Sequence, residues 1–345
     1  MSDAAAVDIV VLGGGMVGAS LAVALAPLGL RVAVVEARRP GAPGQPSYDD
    51  RATAVSMGSR RILETIGVWN ALDAGATPIR KIHVSQRGRF GATRLDSVEE
   101  QVPALGYVVE NRVLGRALWQ RLEAADNVQL VCPATLTELD STDAAVRVTC
   151  ETGDGQVVLT ARLAVAADGA QSQARSLAGI EATAEPYGQT AVITNVTSRE
   201  PHDGTAFERF TDDGPLAFLP MSNGRSSVVW TLATDAAPAV VELDDAAFID
   251  ALQACFGYRL GRLLKVGARH GYPLSLTRAE AVTGDRVALV GNAANGLHPV
   301  AGQGLNLGLR DVATLADVVA DAVADAAPDN DLGSAVMLNR YREWR

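Results

Sequence analysis

The chain has 345 residues, of which 48% are hydrophobic, and it carries a formal net charge of −10. This length suffices for a large core divided over two joined domains. The acidic balance excludes a typical nucleic-acid-binding protein, because phosphates are bound by clustered lysines and arginines. We therefore expect no nucleic-acid partner.

The three cysteines, Cys132, Cys150 and Cys255, have neither a CxxC pairing nor the spacing of a metal site. Free thiols and no bound metal are expected, as in a reducing compartment. The N-terminal residues lack the basic and apolar regions of a secretory signal, and no apolar run reaches the roughly 20 residues that cross a bilayer. These features predict a cytoplasmic protein whose membrane contact, if any, is peripheral and on the inner face.

The first elements along the chain form a strand–helix–strand unit. Residues 8–12 are a short apolar strand, residues 19–28 have the composition of a helix, and residues 31–35 are a second apolar strand. Glycines fill the turn between the first strand and the helix. This order predicts a parallel βαβ unit of the Rossmann type.

The turn carries the pattern G-x-G-x-x-G at Gly13, Gly15 and Gly18. The first glycine allows a tight turn, the second lets backbone approach a pyrophosphate, and the third allows close helix–strand packing. Glu36 ends the second strand, where a carboxylate accepts hydrogen bonds from ribose hydroxyls and repels a 2′-phosphate. The motif predicts bound FAD or NAD, and the alternative is a glycine-rich turn with a solvated Glu36.

Further elements follow along the chain, with a change of pattern after about residue 181. Helices are predicted at 56–66, 110–125, 246–256 and 307–327, and apolar strands at 128–132, 146–150, 163–167 and 286–290. Residues 191–234 contain short strands separated by turn signals. This segment predicts an antiparallel sheet that forms the floor of a substrate pocket.

A second glycine-rich segment, residues 286–310, repeats the pattern of the first. An apolar strand is followed by small residues, and Gly302 and Gly304 then open a helix. A second helix N-terminus suits a cofactor longer than NAD, and it stabilises the negative charge of a reduced flavin. The two segments together predict FAD, with an ordinary strand–helix loop as the alternative.

A third element lies between them, where the strand at 163–167 ends in Asp168-Gly169. Ligands of open α/β folds bind beyond the carboxyl ends of the strands, so Asp168 is a candidate cofactor contact. Its alternative role is that of a helix N-cap.

These three elements, in this order, resemble the motifs of the flavoprotein monooxygenases that hydroxylate aromatic rings. The resemblance runs from residue 8 to the end of the chain. It is strongest to the branch that hydroxylates polyprenylated methoxyphenols in ubiquinone biosynthesis, through Asp50-Arg51-Ala52, Val109-Glu110-Asn111 and the run from His298 to Gly308. Asn292 stands where the wider family has an aspartate beside the flavin's ribityl chain, and its amide carbonyl can still accept a hydrogen bond.

The resemblance implies a fold and a set of cofactor contacts. The fold is α/β, or α+β overall, with a discontinuous Rossmann-type FAD-binding domain (1–75, 96–180 and 271–345), an inserted antiparallel-sheet substrate domain (76–95 and 181–270) and a truncated helical tail. The expected FAD contacts are Gly13, Gly15, Gly18, Glu36, Arg51, Arg112, Asp168, Asn292, Pro299, Gly302, Gln303, Gly304, Leu305 and Asn306. Arg51 and Arg112 have a simpler alternative as surface charges.

The resemblance also implies the reaction. NAD(P)H, visiting transiently because no second GxGxxG is present, reduces FAD, and O2 then adds as a C4a-hydroperoxide that hydroxylates a phenol ring. The protein excludes water and positions the ring, so no side chain is certain to be catalytic. His298 is the candidate for a proton transfer, although a structural role is favoured. Phe218, Pro220 and Trp230 are candidate pocket residues, and ordinary sheet core is an equal alternative.

Other functions remain open at this point. One is a flavin-dependent reductase of a prenyl lipid, which inserts no oxygen. Another is a flavin-binding, non-catalytic subunit of a lipid-biosynthesis complex, and a third is a plain NAD-dependent dehydrogenase. The expected partners are a lipophilic polyprenyl phenol and a ubiquinone-biosynthesis complex.

Overall fold

A computed structural model describes residues 5–42, 51–298, 302–324 and 331–345. Its strands, numbered in chain order, are β1 (Ala5–Ala6), β2 (Ile9–Leu12), β3 (Val32–Val35), β4 (Ala52–Val55), β5 (Thr77–Ile79), β6 (Lys81–Gln86), β7 (Ala92–Asp96), β8 (Gly106–Glu110), β9 (Val128–Val131), β10 (Ala134–Ser141), β11 (Val146–Thr152), β12 (Gly155–Ala161), β13 (Leu163–Ala166), β14 (Ala182–Ser198), β15 (Thr205–Phe210), β16 (Pro215–Pro220), β17 (Arg225–Ala233), β18 (Leu263–Val266), β19 (His270–Ala279), β20 (Thr283–Gly284), β21 (Val287–Leu289) and β22 (Asn295–Gly296). Its α-helices are α1 (Met16–Leu25), α2 (Met57–Thr65), α3 (Asn111–Glu123), α4 (Gln173–Leu177), α5 (Ala237–Val241), α6 (Asp245–Phe256), α7 (Gln303–Ala324) and α8 (Ala335–Trp344).

The central layer is a six-stranded sheet in the order β20-β21-β13-β2-β3-β9. All its pairings are parallel except β20 with β21. Its inner strands are continuous apolar runs because both faces are covered. Ile9 and Val11 pack with α1, α3 and α7 on one face, whereas Val10 and Leu12 pack on the four-stranded sheet β1-β12-β11-β10 on the other.

The register of the parallel strands brings their carboxyl ends level. Leu12 of β2 lies opposite Val35 of β3 and Ala166 of β13, and Ala166 lies opposite Leu289 of β21. The next residues along each strand therefore share one edge of the sheet. All three predicted cofactor segments follow these strand ends.

A second, nine-stranded sheet runs in the order β22-β19-β14-β17-β16-β15-β6-β7, with β18 also paired to β14. Its strands alternate between two faces. Phe218 of β16 and Trp230 of β17 pack against Phe248 and Phe256 of α6. The opposite face carries Ala206 and Leu219, which pack with the three-stranded sheet β4-β8-β5.

The structure confirms the α/β class, the N-terminal βαβ unit, the antiparallel sheet and the predicted helix near residues 246–256. Two helices begin earlier than the sequence indicated. The N-terminal helix starts at Met16 and the helix of the second glycine segment starts at Gln303, so both start inside their glycine motifs. Strand β4 was not predicted, because its short sequence ATAV is held extended by pairing with β8.

The predicted division into domains stays a prediction. Strand β19 bears on it, because residues 271–279 pair with β14 in the nine-stranded sheet although the boundary at 271 assigns them to the FAD-binding part. Among the described helices, none combines the length and apolar character needed to cross a membrane. The described residues also contain no cluster of three or more His, Cys, Asp or Glu arranged for a metal ion.

Candidate functional site

A cavity of about 680 Å³ lies along the carboxyl edge of the six-stranded sheet. Seven of the predicted cofactor residues line it: Gly13, Gly15, Glu36, Asp168, Asn292, Gly304 and Leu305. They come from the ends of β2, β3, β13 and β21 and from the start of α7. The cavity therefore joins all three sequence motifs in one site.

The first turn has the geometry that its glycines were predicted to allow. Gly13 has φ +107°, a backbone conformation that L side chains rarely adopt. A Cβ on Gly18 would lie 1.9 Å from the Gly13 carbonyl oxygen, so the third glycine lets α1 pack directly on the turn. The N-terminus of α1, with Gly15 as its N-cap, then faces the cavity with unpaired N–H groups and a positive dipole end.

Glu36 is held at the cavity wall by backbone hydrogen bonds. The Gly14 N–H donates to its Oε2 at 2.7 Å and the Arg38 N–H to its Oε1 at 2.9 Å. The Trp119 indole fixes the same turn by donating to the Gly14 carbonyl at 3.1 Å. Each carboxylate oxygen keeps further acceptor capacity for hydroxyl groups. Arg38 also lines the cavity, and the sequence analysis did not predict it as a cofactor contact. Its position two residues after Glu36 could have indicated this.

Asp168 lines the cavity and supports the start of α4 without being its N-cap residue. Its Oδ2 accepts the Ala174 N–H at 3.0 Å and its Oδ1 accepts the Ser172 hydroxyl, so it holds the start of α4. The helix N-cap itself is Ser172. Asp168 also lines the cavity. Its carboxylate thus orders the loop that forms the cavity wall.

Arg175 joins two of the motifs, and sequence reasoning gave it no role. It is buried, and its guanidinium donates to the Ala293 carbonyl at 2.8 Å and to the Ala170 carbonyl at 3.2 Å. These bonds connect the Asp-Gly loop to the turn after β21. Its position within α4 offered no sequence signal, because its partners are backbone carbonyls 5 and 118 residues away.

The start of α7 forms the other side of the cavity. Gly304 lies next to Asn292, because a Cβ at position 304 would lie 3.9 Å from Asn292 Oδ1, an ordinary van der Waals contact. The Asp311 carboxylate, two turns further along α7, accepts the Gly291 N–H at 2.8 Å. This hydrogen bond fixes the turn that carries Asn292. Burial raises the pKa of Asp311, and the Arg345 hydrogen bond and charge and the Gly291 N–H offset part of that rise.

Asn306 is buried in the first turns of α7 and does not line the cavity. Its Oδ1 accepts the Ser56 N–H, and its Nδ2 donates to the carbonyls of Ala54 and Gly302, each at 2.8 Å. The side-chain amide therefore ties α7 to β4 and stabilises the turn at Gly302. Its engagement with backbone makes it a positioning residue in this arrangement.

Five other predicted contacts lie outside the cavity lining: Gly18 and Gly302, which shape the two turns, and Arg51, Arg112 and Gln303. The Arg51 guanidinium stacks on the Tyr272 ring at 4.7 Å, and Arg112 forms an ion pair with Glu110 at 2.6 Å. Gln303 is exposed in the first turn of α7, and Pro299 lies outside the described residues. Burial alone would raise the pKa of Glu110, but the hydrogen bonds and charges of Arg112 and Arg225 lower it.

His298 lies over the nine-stranded sheet. Its Nε2 is 3.2 Å from Gln189 Oε1, and its ring contacts the Tyr187 ring edge-on at 5.1 Å between centroids. Burial lowers the pKa of His298. A neutral imidazole held by an amide and an aromatic ring fits the structural role that the sequence favoured.

The predicted substrate-pocket residues lie in the core between the nine-stranded sheet and α6. Phe218 stacks on Phe256 with centroids 3.8 Å apart, and Trp230 contacts Phe248 edge-on at 5.8 Å. Both are almost fully buried beneath α6, and Pro220 shares their strand parity and is also buried. The sheet-core interpretation therefore describes them. Because side chains alternate along a strand, Leu219 lies on the opposite face of the sheet, where it packs with β4.

That opposite face was missed by sequence reasoning. A row of side chains crosses it through the paired positions Ile193, Val229, Ala217, Glu208 and Val84. These residues are partly exposed, in contrast to the buried face beneath α6. The available signal was the period-two alternation of β16, in which 217 and 219 oppose 216 and 218.

The cavity fits FAD by its shape and donor groups. β3 and β21 are separated by β13 and β2, so the strands that end before Glu36 and Asn292 are about 14 Å apart across the sheet, which suits an extended dinucleotide. Two helix N-termini approach the cavity, and both are suited to negatively charged groups. Side chains at Gly13 and Gly18 would close the turn on itself.

Comparison with known proteins agrees with this arrangement. Residues 6–342 match the family model described as an FAD binding domain. The chain is 41% identical over 338 residues to the ubiquinone hydroxylase UbiL of Rhodospirillum rubrum, which covers 98% of this chain and 77% of UbiL. It is 37% identical over 319 residues to the 3-demethoxyubiquinol 3-hydroxylase of Escherichia coli, over 91% of this chain and 80% of that enzyme.

The fold is also similar to a solved structure, the p-nitrophenol 4-monooxygenase PnpA of Pseudomonas putida. The TM-score is 0.80 at 21% identity, over 98% of this chain and 85% of PnpA. Cavity, family match and curated relatives together assign the cofactor. The chain belongs to the FAD-binding family of flavoprotein monooxygenases, and it is an FAD-dependent hydroxylase.

Proposed function

We propose that this enzyme hydroxylates the aromatic ring of a polyprenylated phenol or methoxyphenol in ubiquinone biosynthesis, with NAD(P)H as reductant and O2 as oxidant. The observation that carries the proposal is the cavity that joins the three motifs, whose helix α7 is tied through Asn306 to β4. Strand β4 in turn packs on the partly exposed, largely apolar face of the nine-stranded sheet. The names of two relatives, a ubiquinone hydroxylase and a 3-demethoxyubiquinol 3-hydroxylase, support the substrate class.

FAD, when bound, would accept electrons from NAD(P)H and activate O2 for transfer to the ring. Glu36 would accept hydrogen bonds from ribose hydroxyls, and the N-terminus of α1 would bind the pyrophosphate. Asn292 and the N-terminus of α7 would hold the flavin end, where a positive dipole end favours the reduced, negatively charged ring. Asn306 and Arg175 would keep these loops in place.

The substrate ring would lie on the opposite face of the nine-stranded sheet from α6. Ile193, Val229 and Ala217 supply apolar contact for a ring and for the first part of a prenyl chain. Arg51 and His298 lie over the same face, because Arg51 stacks on Tyr272 and His298 contacts Gln189. This enclosure would exclude water from the reacting atoms.

The purified flavoprotein tests the proposal directly. A short-chain prenyl methoxyphenol should stimulate NAD(P)H oxidation, with about one hydroxylated product formed for each NAD(P)H consumed. NAD(P)H oxidation that reduces a prenyl lipid without a hydroxylated product would instead identify a reductase. A bound flavin that NAD(P)H never reduces would identify a non-catalytic subunit.

Contact with a membrane, and with other enzymes of the pathway, belongs to the same proposal because the substrate is lipophilic. Phe90, at the tip of the β6–β7 hairpin, and Tyr258, just after α6, are exposed aromatic side chains. Burial and then the charges of Arg259, Arg94 and Arg209 lower the pKa of the neighbouring His83. Aromatic and arginine side chains together suit an anionic lipid surface.

Co-sedimentation with phosphatidylglycerol vesicles tests this contact. The substitution Phe90→Ser should weaken binding about 5-fold, since burying even part of an aromatic side chain in the lipid surface contributes about 1 kcal/mol. Val336→Ser, which changes an exposed apolar residue on α8, is the matched control and should bind as the wild type does. Equal vesicle binding of the wild type and both variants would show that the β6–β7 hairpin does not contact the membrane.

A further inference from the structure

Glu208 lies in the middle of the sheet face that the proposed substrate would occupy. Its neighbour on β15, Phe207, contacts Phe256 of α6 edge-on at 5.5 Å, so Phe207 points to the covered face. Strand alternation directs Glu208 to the opposite face. Ala206, with the same parity, packs with Ile79 and Met221 on that face.

The surroundings of Glu208 are apolar. It pairs with Ala217 of β16 and Val84 of β6, and the row continues to Val229 and Ile193. On its own strand, Ala206 and Phe210 lie on the same side. The polar side chains His270 and Tyr272 belong to this face but lie on β19, and Tyr272 is covered by Arg51. Three strands, β16, β17 and β14, separate β19 from the strand of Glu208.

This environment changes the acidity of the carboxyl group. Burial raises the pKa of Glu208 from an ordinary value of 4.5 to about 7, with no contribution from a neighbouring charge. Within the part of the chain that the structure describes, no hydrogen bond or ion pair engages the carboxylate. A largely desolvated carboxyl without a partner costs stability, and such groups are concentrated at functional sites.

Two hydroxyl groups on the same face share this property. Ser227 Oγ and Thr231 Oγ1 of β17 are buried and have no hydrogen-bond partner among the described residues. Both have the parity of Val229, and Ser227 pairs with Leu219. Buried polar groups are nearly always hydrogen-bonded, so two unsatisfied hydroxyls on the face that also carries the unpartnered Glu208 carboxylate indicate a functional surface.

We propose that Glu208 accepts the phenolic proton of the substrate during hydroxylation, on a sheet face that also carries the unpaired hydroxyls of Ser227 and Thr231. This inference rests on the proposed function. In the step, the phenol O–H bond breaks, the proton moves to a Glu208 carboxylate oxygen, and the electron pair stays on the phenolate oxygen. The ring thereby becomes more electron-rich and more reactive towards an electrophilic oxygen. A base that titrates near the working pH is suited to this task.

The experiment compares the pH dependence of kcat/KM for hydroxylation in the FAD-loaded wild type, Glu208→Gln and Glu208→Asp. The wild type should gain activity as the pH rises through about 7, where the carboxyl group ionises. Glu208→Gln should lose about 100-fold in kcat/KM and should lack this acidic limb, since general base catalysis contributes about that factor. Glu208→Asp should keep the limb at lower activity.

Two further measurements separate chemistry from folding. All variants should keep the flavin absorbance and the NAD(P)H-driven reduction measured without phenol. Glu151→Gln changes an exposed glutamate on β11 and should behave as the wild type does throughout. A Glu208→Gln enzyme with wild-type kcat/KM and an unchanged acidic limb would overturn the inference.

A nitrophenol provides a test that does not need turnover, because its phenolate absorbs visible light. Binding to the wild type should ionise the bound nitrophenol at lower pH than binding to Glu208→Gln or Glu208→Asp. The same ionisation in wild type and both variants would overturn the role of Glu208. A wild type that shows this shift but hydroxylates no prenyl phenol would overturn the proposed function instead.

Discussion

Gly18 shows how a single hydrogen atom in place of a side chain shapes the cofactor turn. A Cβ at this position would lie 1.9 Å from the Gly13 carbonyl oxygen and 3.0 Å from the Ala167 Cβ. The obstruction is mainly backbone, which cannot move aside cheaply. The third glycine therefore sets the distance between α1 and the turn that would receive the pyrophosphate.

The substitution Gly18→Ala should push α1 away from this turn, costing about 1–3 kcal/mol of stability as overpacking usually does. FAD affinity should fall at least 10-fold, measured by quenching of flavin fluorescence. Gly153→Ala is the control, because its Cβ would meet no atom within 4 Å. Wild-type FAD affinity in Gly18→Ala would contradict the packing role of this glycine.

Glu208 also gives a prediction about stability that is separate from catalysis. Its pKa is raised in the folded protein to about 7 from an ordinary 4.5, so folding favours the protonated acid. Below pH 4.5 the group is neutral in both states and costs nothing. As the pH rises from about 4.5 to 7, ionisation favours the unfolded chain, and the wild type loses up to about 3 kcal/mol.

Glu208→Gln, which stays neutral, should therefore be more stable than the wild type at pH 8 and close to it at pH 4.5. Urea unfolding at the two pH values measures the difference. A gap that does not grow with pH would show that the folded protein does not raise the pKa of this carboxyl group.

At the scale of the element, successive residues of strand β16 alternate between the core and the candidate substrate surface. Phe218 lies in the core against α6, whereas its neighbour Ala217 lies in the partly exposed row. Phe218→Ala should destabilise the protein by about 3–5 kcal/mol and leave the KM for phenol near its wild-type value. Ala217→Leu should do the reverse, raising KM severalfold with little change in the unfolding free energy.

Thermal unfolding and steady-state kinetics on this pair of variants check the assignment of the two faces. The two substitutions are adjacent in sequence, so differences in strand position do not enter the comparison. A large KM effect from Phe218→Ala in a folded enzyme would return Phe218 to the substrate pocket.

The elements also show which features a sequence can predict. The glycine motifs and Glu36 were found because each follows an apolar strand, and parallel strands bring their carboxyl ends to one edge. Strand β4 was missed since a four-residue strand is decided by its pairing partner. Alternation gives two faces for β16, but only the position of α6 decides which face is core.

At the scale of the whole molecule, long-range contacts complete the site. Arg175, on the five-residue helix α4, donates to Ala293, 118 residues further along the chain. Asn306 of α7 bonds to Ala54 and Ser56, about 250 residues earlier. Local sequence patterns carry no information about such partners. Sequence reasoning therefore found the cofactor motifs but not the residues that hold them together.

The central claim is that oxygen from O2 enters the aromatic ring of a prenyl phenol on this FAD enzyme. The most direct measurement is mass spectrometry of the product formed with NAD(P)H under ¹⁸O2. The account predicts a hydroxylated ring that carries one ¹⁸O atom, formed only with the flavin-loaded protein. NAD(P)H consumption that yields an unlabelled product, or only hydrogen peroxide, would contradict it.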